Sequence, residues 1–159
     1  MPDAPTRAAA PSPLLALGLD YGSRRIGVAA GDTLTNGARP LGVVNATAGV
    51  PDWATLDRYL RDWAPQALIV GVPYNMDGTP TTLTEAAIEF AAELGRRFSA
   101  EVVLVDERLS SREAEDQLRR QRASGARTRR VRRGDIDAAA ACVILEQWLR
   151  ERRPDPQPE

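Results

Sequence analysis

The amino-acid sequence predicts an α/β fold in which one mixed β-sheet is flanked by helices in a single domain. Three short apolar runs joined by turn residues open the chain, which is typical of an antiparallel meander. Two later apolar runs alternate with segments of helical periodicity, which favours parallel strands. Neither an internal repeat nor an interdomain linker is present. We therefore expect one domain over residues 14–150, with a disordered Pro- and Ala-rich leader at 1–13 and a disordered tail at 151–159.

The first three predicted strands are short and close together in the sequence. Residues 14–19 form an apolar run that ends at Asp20, and residues 26–30 return as the second strand. Residues 41–44 form the third strand, after the turn signal Asn36-Gly37. Because these connections are short, neighbouring strands are expected to pair antiparallel.

Helices and strands alternate in the second part of the chain. Apolar residues recur at helical spacing over residues 52–63, and residues 67–71 form a buried strand. The next helix is expected to begin near Thr79-Pro80, with proline at its first position. Residues 101–105 form the fifth strand, which leads into Asp106-Glu107.

Two more helices are predicted before the tail. Ser110 and Glu113 form a capping-box pattern that would open a helix, and Ser124-Gly125 would end it. The last helix is predicted over residues 135–150. The predicted order of elements is therefore β-β-β-α-β-α-β-α-α.

The sequence excludes several classes of catalytic site, because it contains no histidine and a single cysteine, Cys142. Ser-His-Asp and Cys-His nucleophilic sites are ruled out, and so is a zinc site of the usual nitrogen and sulfur ligands. Any metal ion must be a hard cation bound by oxygen, such as Mg²⁺, Mn²⁺ or Ca²⁺.

Cys142 lies in an alanine-rich helical pattern and is expected to be a small buried hydrophobic residue. Trp53, Trp63 and Trp148 fall on apolar helix faces, which favours core packing over base stacking.

Charge is unevenly distributed along the chain. The formal net charge is only −1, yet eight arginines and no acid lie between Arg119 and Arg133. All 21 basic residues are arginine, a bias that a high-GC genome would produce by itself. No apolar run approaches the roughly 18 residues of a membrane helix. We expect a cytoplasmic protein without membrane contact.

Carboxylates at predicted strand ends suggest metal-assisted phosphodiester hydrolysis. Without histidine, two metal ions about 3.5–4 Å apart are one means of activating water and stabilising the leaving oxygen. Such a site needs several carboxylates that converge from different elements. Asp20 follows an apolar strand, at the end where sheets of this type bind ligands. The alternative interpretation of Asp20 is that it only forms a turn before Gly22.

A second acid is expected directly after the fifth strand. Side chains alternate along extended backbone, so either Asp106 or Glu107 points toward the site and the other points away. Alternation alone does not decide between them. A surface ion pair with Arg108 is the competing interpretation of Glu107.

A third acid is expected at the start of the last helix. Asp135 fits the N-cap position, which would place Asp137 in the first turn. The helix dipole alone would favour a carboxylate there. The small residues Ala138 to Ala141 would let this helix lie close to the sheet and bring Asp137 near the strand ends.

Four motifs resemble, in order and spacing, those of the YqgF/RuvX family. They cover roughly residues 14–149 and read GLDYGSRRIGVA, VGVPYNMDGT, VDERLSSREAE and DIDAAAACVILEQWL. The resemblance implies an RNase H-like fold and a nuclease described either as a Holliday junction resolvase or as a pre-16S rRNA nuclease. It also implies that the acidic site residues are Asp20, Glu107 and Asp137, binding two Mg²⁺ or Mn²⁺ ions.

Residues around the acids are candidates for binding nucleic acid. Arg24, Arg25 and Arg108 could clamp phosphates or could pair with the acids themselves. Asn75 could contact the substrate, and backbone N–H groups near it could bind a phosphate, or the segment could be only a turn before a helix.

The arginine-rich stretch before the last helix fills a position where the family usually mixes lysine with arginine. Its five arginines in seven residues would repel one another without an anion, although charge runs are more often solvated surfaces. The candidates for phosphate contact are Arg127, Arg129, Arg130, Arg132 and Arg133.

Three classes of function are consistent with these patterns. The first is an endonuclease acting on structured RNA, favoured here as pre-16S rRNA processing, or on branched DNA; the sequence shows no clear dimer face, which symmetric junction cleavage would favour. The second is a sugar-kinase or actin-like ATPase, because Asp20-Tyr21-Gly22-Ser23 also resembles their phosphate motif, but 159 residues supply one domain where these proteins need two. The third is a nucleic-acid-binding module without catalysis. A homodimer is neither required nor excluded.

Overall fold

The computed structural model describes residues 13–107 and 133–152. Within these residues the chain forms six strands and three helices. In chain order they are β1 (Leu15–Asp20), β2 (Arg25–Asp32), β3 (Ala38–Thr47), β4 (Val50–Pro51), α1 (Trp53–Trp63), β5 (Ala67–Val72), α2 (Thr84–Arg97), β6 (Glu101–Asp106) and α3 (Arg133–Arg152).

One mixed sheet organises the domain, with the strand order β4-β3-β2-β1-β5-β6. The neighbours from β4 to β1 pair antiparallel, whereas β1, β5 and β6 are parallel to one another. This confirms the predicted mixed sheet, in which three antiparallel strands precede two parallel ones. Strand β4 was not predicted, because two residues are too short to show a periodic pattern.

The sheet is covered on both faces. Helices α1 and α2 pack on one face, where a buried cluster includes Leu17 and Leu19 of β1, Leu56 of α1 and Phe90 of α2. Helix α3 packs on the other face against a second cluster that includes Ala16 of β1 and Ile69 of β5, and it contributes Ile144, Leu145 and Leu149. Because β1 lies in the middle of the sheet, its carboxyl end faces helices on both sides.

Helix α1 agrees closely with the helix predicted at residues 52–63. The Asp52 side chain accepts a hydrogen bond from the Thr55 backbone N–H at 3.3 Å and so caps the first turn. Leu56 and Leu60 are its buried residues. The helix ends at Ala64, which has the left-handed φ of 44°.

Two helix starts differ from prediction. Helix α2 begins at Thr84 instead of near Thr79-Pro80, because Pro80 pairs with Tyr74 in an isolated bridge and closes a turn. Helix α3 is already formed at Arg133, the first residue described after residue 107, so Asp135 lies inside the helix and is not its N-cap. The helix predicted to open at Ser110 lies outside the described residues. No helix in the described part of the chain is long and apolar enough to cross a membrane.

Candidate active site

Three strands bring two of the predicted acids to one edge of the sheet. Asp20 is the last residue of β1, and its register partner on parallel β5 is Gly71. Glu107 follows the last residue of β6, and its backbone N–H donates to the Val72 carbonyl at 3.0 Å. Because the carboxyl ends of parallel strands lie at the same edge, Asp20 and Glu107 meet there.

Side-chain alternation places Glu107, and not Asp106, on the face that carries α3. Val103 and Val105 pack against the cluster beneath α3, so Glu107 continues the same face. Asp106 is exposed on the opposite face. The sequence alone could not make this choice, because it did not show which face of β6 would be covered.

The carboxyl groups of Asp20 and Glu107 share a hydrogen bond. Burial raises the pKa of Asp20 well above its usual value, and the hydrogen bond with Glu107 and the charges of Glu107 and Asp137 raise it further. Burial and the charge of Asp106 raise the pKa of Glu107, while the hydrogen bond from Asp20 acts in the opposite direction. The two groups therefore titrate as one pair that retains a proton more strongly than isolated carboxyls do.

Glycines on the two strands next to β1 make room for Glu107 and for the backbone of Asp137. A Cβ at Gly71 would lie 2.7 Å from Oε2 of Glu107 and 2.4 Å from Cδ1 of Ile144 in α3. A Cβ at Gly27, the antiparallel partner of Asp20, would lie 2.0 Å from the carbonyl oxygen of Asp137. Sequence reasoning did not single out either position, although a glycine inside an apolar strand is a known sign of close backbone approach.

Asp137 comes to the same edge from α3 and is paired with Arg25. Oδ2 of Asp137 accepts a hydrogen bond from Nε of Arg25 at 2.7 Å, with side-chain exposures of 27% and 30%. Asp137 lies four residues after Arg133, which is already helical, so it is beyond the first turn and compensation of the helix dipole does not explain it. Its charge acts on Asp20, which places the three acids in one electrostatic cluster.

The arrangement is not yet a complete set of metal ligands. Among residues 13–107 and 133–152, no group of three or more Asp, Glu or Cys side chains has a geometry that would hold a metal ion. Asp20 and Glu107 contact each other, whereas Asp137 contacts a guanidinium. A cationic side chain therefore neutralises the third carboxylate in this structure.

The remaining predicted binding residues fall into three groups. Arg24 is exposed at the turn after β1, and the backbone of Arg133 begins α3. The Asn75 side-chain amide donates to Oγ1 of Thr79 at 2.9 Å and to the Pro80 carbonyl at 3.3 Å, which gives it a role in shaping a turn. Five candidates lie outside the described residues: Arg108, Arg127, Arg129, Arg130 and Arg132.

The cysteine and the tryptophans serve packing, as predicted. Cys142 is buried, and burial raises the pKa of its thiol to about 12, which makes it an unreactive core residue. Trp148 of α3 is buried in the cluster between this helix and the sheet, and Trp53 and Trp63 pack against the opposite cluster.

Comparison with known proteins gives consistent results at three levels. A family model described as "RuvX: Holliday junction resolvase" matches residues 15–151. A Legionella pneumophila (strain Paris) protein named "Putative pre-16S rRNA nuclease" is 48% identical over 85% of this chain and 94% of the relative. An Azotobacter vinelandii protein of the same name is 46% identical over 88% of this chain and 96% of the relative.

A solved structure shows the same fold with little sequence similarity. The Fowlpox virus resolvase, in complex with Holliday junction DNA, covers 87% of this chain and 98% of its own, with a TM-score of 0.54 and 11% identity. The mixed sheet and its helices therefore share the fold of that protein.

Proposed function

The chain belongs to the RuvX family, and on that premise we propose that it is a metal-dependent endonuclease that processes the 5′ end of pre-16S rRNA. One observation carries the catalytic part of the proposal. Asp20 and Glu107 share a hydrogen bond at the carboxyl ends of two strands, and the charge of Asp137 acts on the same point. The Legionella and Azotobacter relatives, both named as nucleases of this RNA, support the substrate.

The donor set suits a hard divalent cation. The three carboxylates offer only oxygen ligands, which Mg²⁺ and Mn²⁺ prefer. Burial, and to a lesser extent neighbouring carboxylate charges, raise the pKa of both Asp20 and Glu107, so a bound cation would stabilise the charged forms that this environment now disfavours. When bound, a pair of such ions would supply an activated water molecule and neutralise charge on the leaving oxygen.

The protein itself would orient the substrate and limit the movement of the acids. The packing of Glu107 against Gly71 restricts its carboxylate to the α3 face of the sheet. The Arg25 guanidinium, which now pairs with Asp137, lies where it could contact a phosphate once a cation takes its place on that carboxylate. The exposed Arg24 would contact a neighbouring phosphate.

Branched DNA is the second candidate substrate, because the matching family model is described as a Holliday junction resolvase. The same metal site would serve both substrates, since the chemistry at the phosphorus is the same. An enzyme acting on rRNA precursors would work in the cytoplasm.

A direct competition would test the proposal. Labelled pre-16S rRNA and a four-way DNA junction would be incubated with the protein in Mg²⁺, Mn²⁺ or chelator. We expect cation-dependent cleavage of the RNA that Asp20→Asn abolishes while binding persists. Asp62→Asn, an exposed aspartate on α1, is the matched control and should cleave normally.

Two other outcomes would contradict the proposal as stated. Preferential cleavage of the junction would transfer the proposal to branched DNA. Equal behaviour of wild type and Asp20→Asn, with binding but no cleavage, would indicate a nucleic-acid-binding module whose acids are structural.

A further inference from the structure

A cavity of about 250 Å³ lies at the carboxyl ends of β5 and β6. The connection from β5 to α2 forms one wall, and β6 forms the other. We call it the turn cavity, and its lining residues are Val72, Tyr74, Gly78, Leu104, Val105 and Asp106. Asp106 lines this cavity at the last position of β6, and the next residue, Glu107, contacts Asp20. The turn cavity and the acidic cluster therefore share one strand end.

The chemistry of the walls suits a nucleobase better than a phosphate. Tyr74 offers a half-buried ring, and Leu104 is 47% exposed, which is unusual for an apolar strand residue. Asp106 is the one charged group among the lining residues. A carboxylate repels phosphate but has several acceptor positions, and it can accept hydrogen bonds from exocyclic amino groups such as N4 of cytosine.

The wall formed by the turn is held in place by its own hydrogen bonds. The Asn75 backbone N–H donates to the Thr79 carbonyl at 2.8 Å, and the Gly78 N–H donates to the Asn75 carbonyl at 2.8 Å. Asp77 Oδ1 accepts from both the N–H and the hydroxyl of Thr79, at 2.9 and 2.7 Å. The cavity is thus built before any ligand arrives, which reduces the ordering cost of binding.

An apolar side chain lies at the tip of the same turn. Met76 is 68% exposed, although the turn around it is well ordered by hydrogen bonds. Proteins that distort nucleic acid insert apolar side chains, including methionine, between neighbouring bases and unstack them. A rigid turn can hold such a side chain in position, whereas a flexible loop cannot.

We propose that the turn cavity receives one unstacked nucleobase of the substrate, next to the scissile phosphate, while Met76 fills the space that this base leaves. The proposal rests on the proposed nuclease function for the position of the phosphate. Two adjacent residues, the last of β6 and the one after it, then have different roles. Glu107 faces the reacting phosphate, and Asp106 faces the base, since neighbouring side chains of a strand point to opposite faces. Selectivity would follow from which bases unstack easily and which carry an amino group for Asp106.

The test uses 2-aminopurine, whose fluorescence rises when it leaves the base stack. It would be placed at successive positions of a pre-16S rRNA fragment and of a four-way DNA junction. The protein carries Asp20→Asn, so the measurement does not depend on cleavage. We expect a rise in fluorescence at one position of the bound substrate.

Leu104→Trp, which fills the cavity, should abolish the rise in fluorescence. It should also weaken binding about tenfold, which is within the range of the energy of stacking one base on an aromatic ring. Met76→Ala should reduce the rise.

The matched control is Leu34→Trp, which introduces the same ring at a residue that is 75% exposed in the turn between β2 and β3. It should leave both fluorescence and affinity unchanged. A rise that persists in Leu104→Trp, or the absence of a rise at every position, would overturn the base site. Cleavage by the protein with Asp20 intact reports separately on the nuclease function, so the two proposals can fail independently.

Discussion

Asp20 combines a central position in the sheet with an unfavourable environment for its charge. Burial and the neighbouring carboxylates raise its pKa, so the charged form destabilises the folded state when no cation is bound. A carboxylate whose only role was to shape a turn would not need to be buried among other carboxylates, where its charged form destabilises the fold. The raised pKa of Asp20 therefore indicates an environment that a bound cation would make favourable for its charged form.

The pH dependence of stability should reveal this environment. Because the folded pKa of Asp20 is raised, the unfolded chain loses the proton first, and stability decreases as pH rises from about 4, the unfolded value, through the folded pKa. Asp20→Asn should remove this loss. In chelator, urea denaturation should show the variant to be more stable than wild type at pH 7, with the difference shrinking toward pH 4.

Asp32→Asn is the control with the opposite sign. Hydrogen bonds from Thr35 lower the pKa of Asp32, so its contribution is present above about pH 4 and is lost as pH falls. This variant should be less stable than wild type at pH 7. If Asp20→Asn behaved in the same way, the site would not be a repulsive carboxylate cluster.

Arg25 should compete with a cation for Asp137. Its hydrogen bond of 2.7 Å occupies one carboxylate oxygen. Both side chains are about 30% exposed, so Arg25→Gln should cost less than about 1 kcal/mol in the cation-free protein. The rise in melting temperature caused by Mg²⁺ should be larger in the variant. Arg61→Gln, which breaks the exposed pair with Asp57, should leave that rise unchanged, and an unchanged rise in Arg25→Gln would refute competition.

At the scale of elements, the position of Asp137 depends on how closely α3 approaches β2. The backbone carbonyl of Asp137 lies over Gly27, where a Cβ would be only 2.0 Å away. Backbone cannot rotate away as the end of a side chain can. The fit between this helix and the strand therefore positions a catalytic candidate as well as filling the core.

Gly27→Ala should displace α3 and destabilise the fold by about 1–3 kcal/mol, the usual cost of overpacking. Denaturant unfolding would measure the loss, and cation-induced stabilisation should weaken with it because Asp137 moves. Gly37→Ala is the matched control, since its Cβ would meet only Oγ1 of Thr35 at an ordinary 3.5 Å. Equal stability of the two variants would show that the close approach does not matter.

The elements also show what sequence patterns can and cannot predict. Apolar runs and helical spacing located β1, β2, β5, β6 and α1 because their burial is periodic in the sequence. The start of α2 was misplaced because Pro80, a common first helical residue, instead closes the turn with Asn75. The pair of Arg25 and Asp137 joins residues 112 positions apart, and such contacts arise only from the packed fold.

For the molecule as a whole, the net charge of −1 conceals a strongly basic stretch of sequence at residues 127–133 and a cluster of acids elsewhere. The acids converge at one edge of the sheet, and the described part of α3 begins at Arg133, the last arginine of that stretch. We expect this stretch to provide the electrostatic part of nucleic-acid binding. The cluster of carboxylates would repel a polyanion, so a concentrated group of positive charges is needed to attract it.

The salt dependence of binding should measure that contribution. If about four of the five arginines between 127 and 133 each neutralise a phosphate, log K should fall with log[salt] with a slope of roughly −3 to −4. Replacing Arg129, Arg130 and Arg132 by Gln should make the slope shallower by roughly 0.9 for each duplex phosphate that the variant no longer neutralises. Replacing the exposed α1 residues Arg58 and Arg61 should leave the slope unchanged. Fluorescence anisotropy with Asp20→Asn would measure binding without cleavage. An equal slope in both sets of variants would mean that phosphates are bound elsewhere on the molecule.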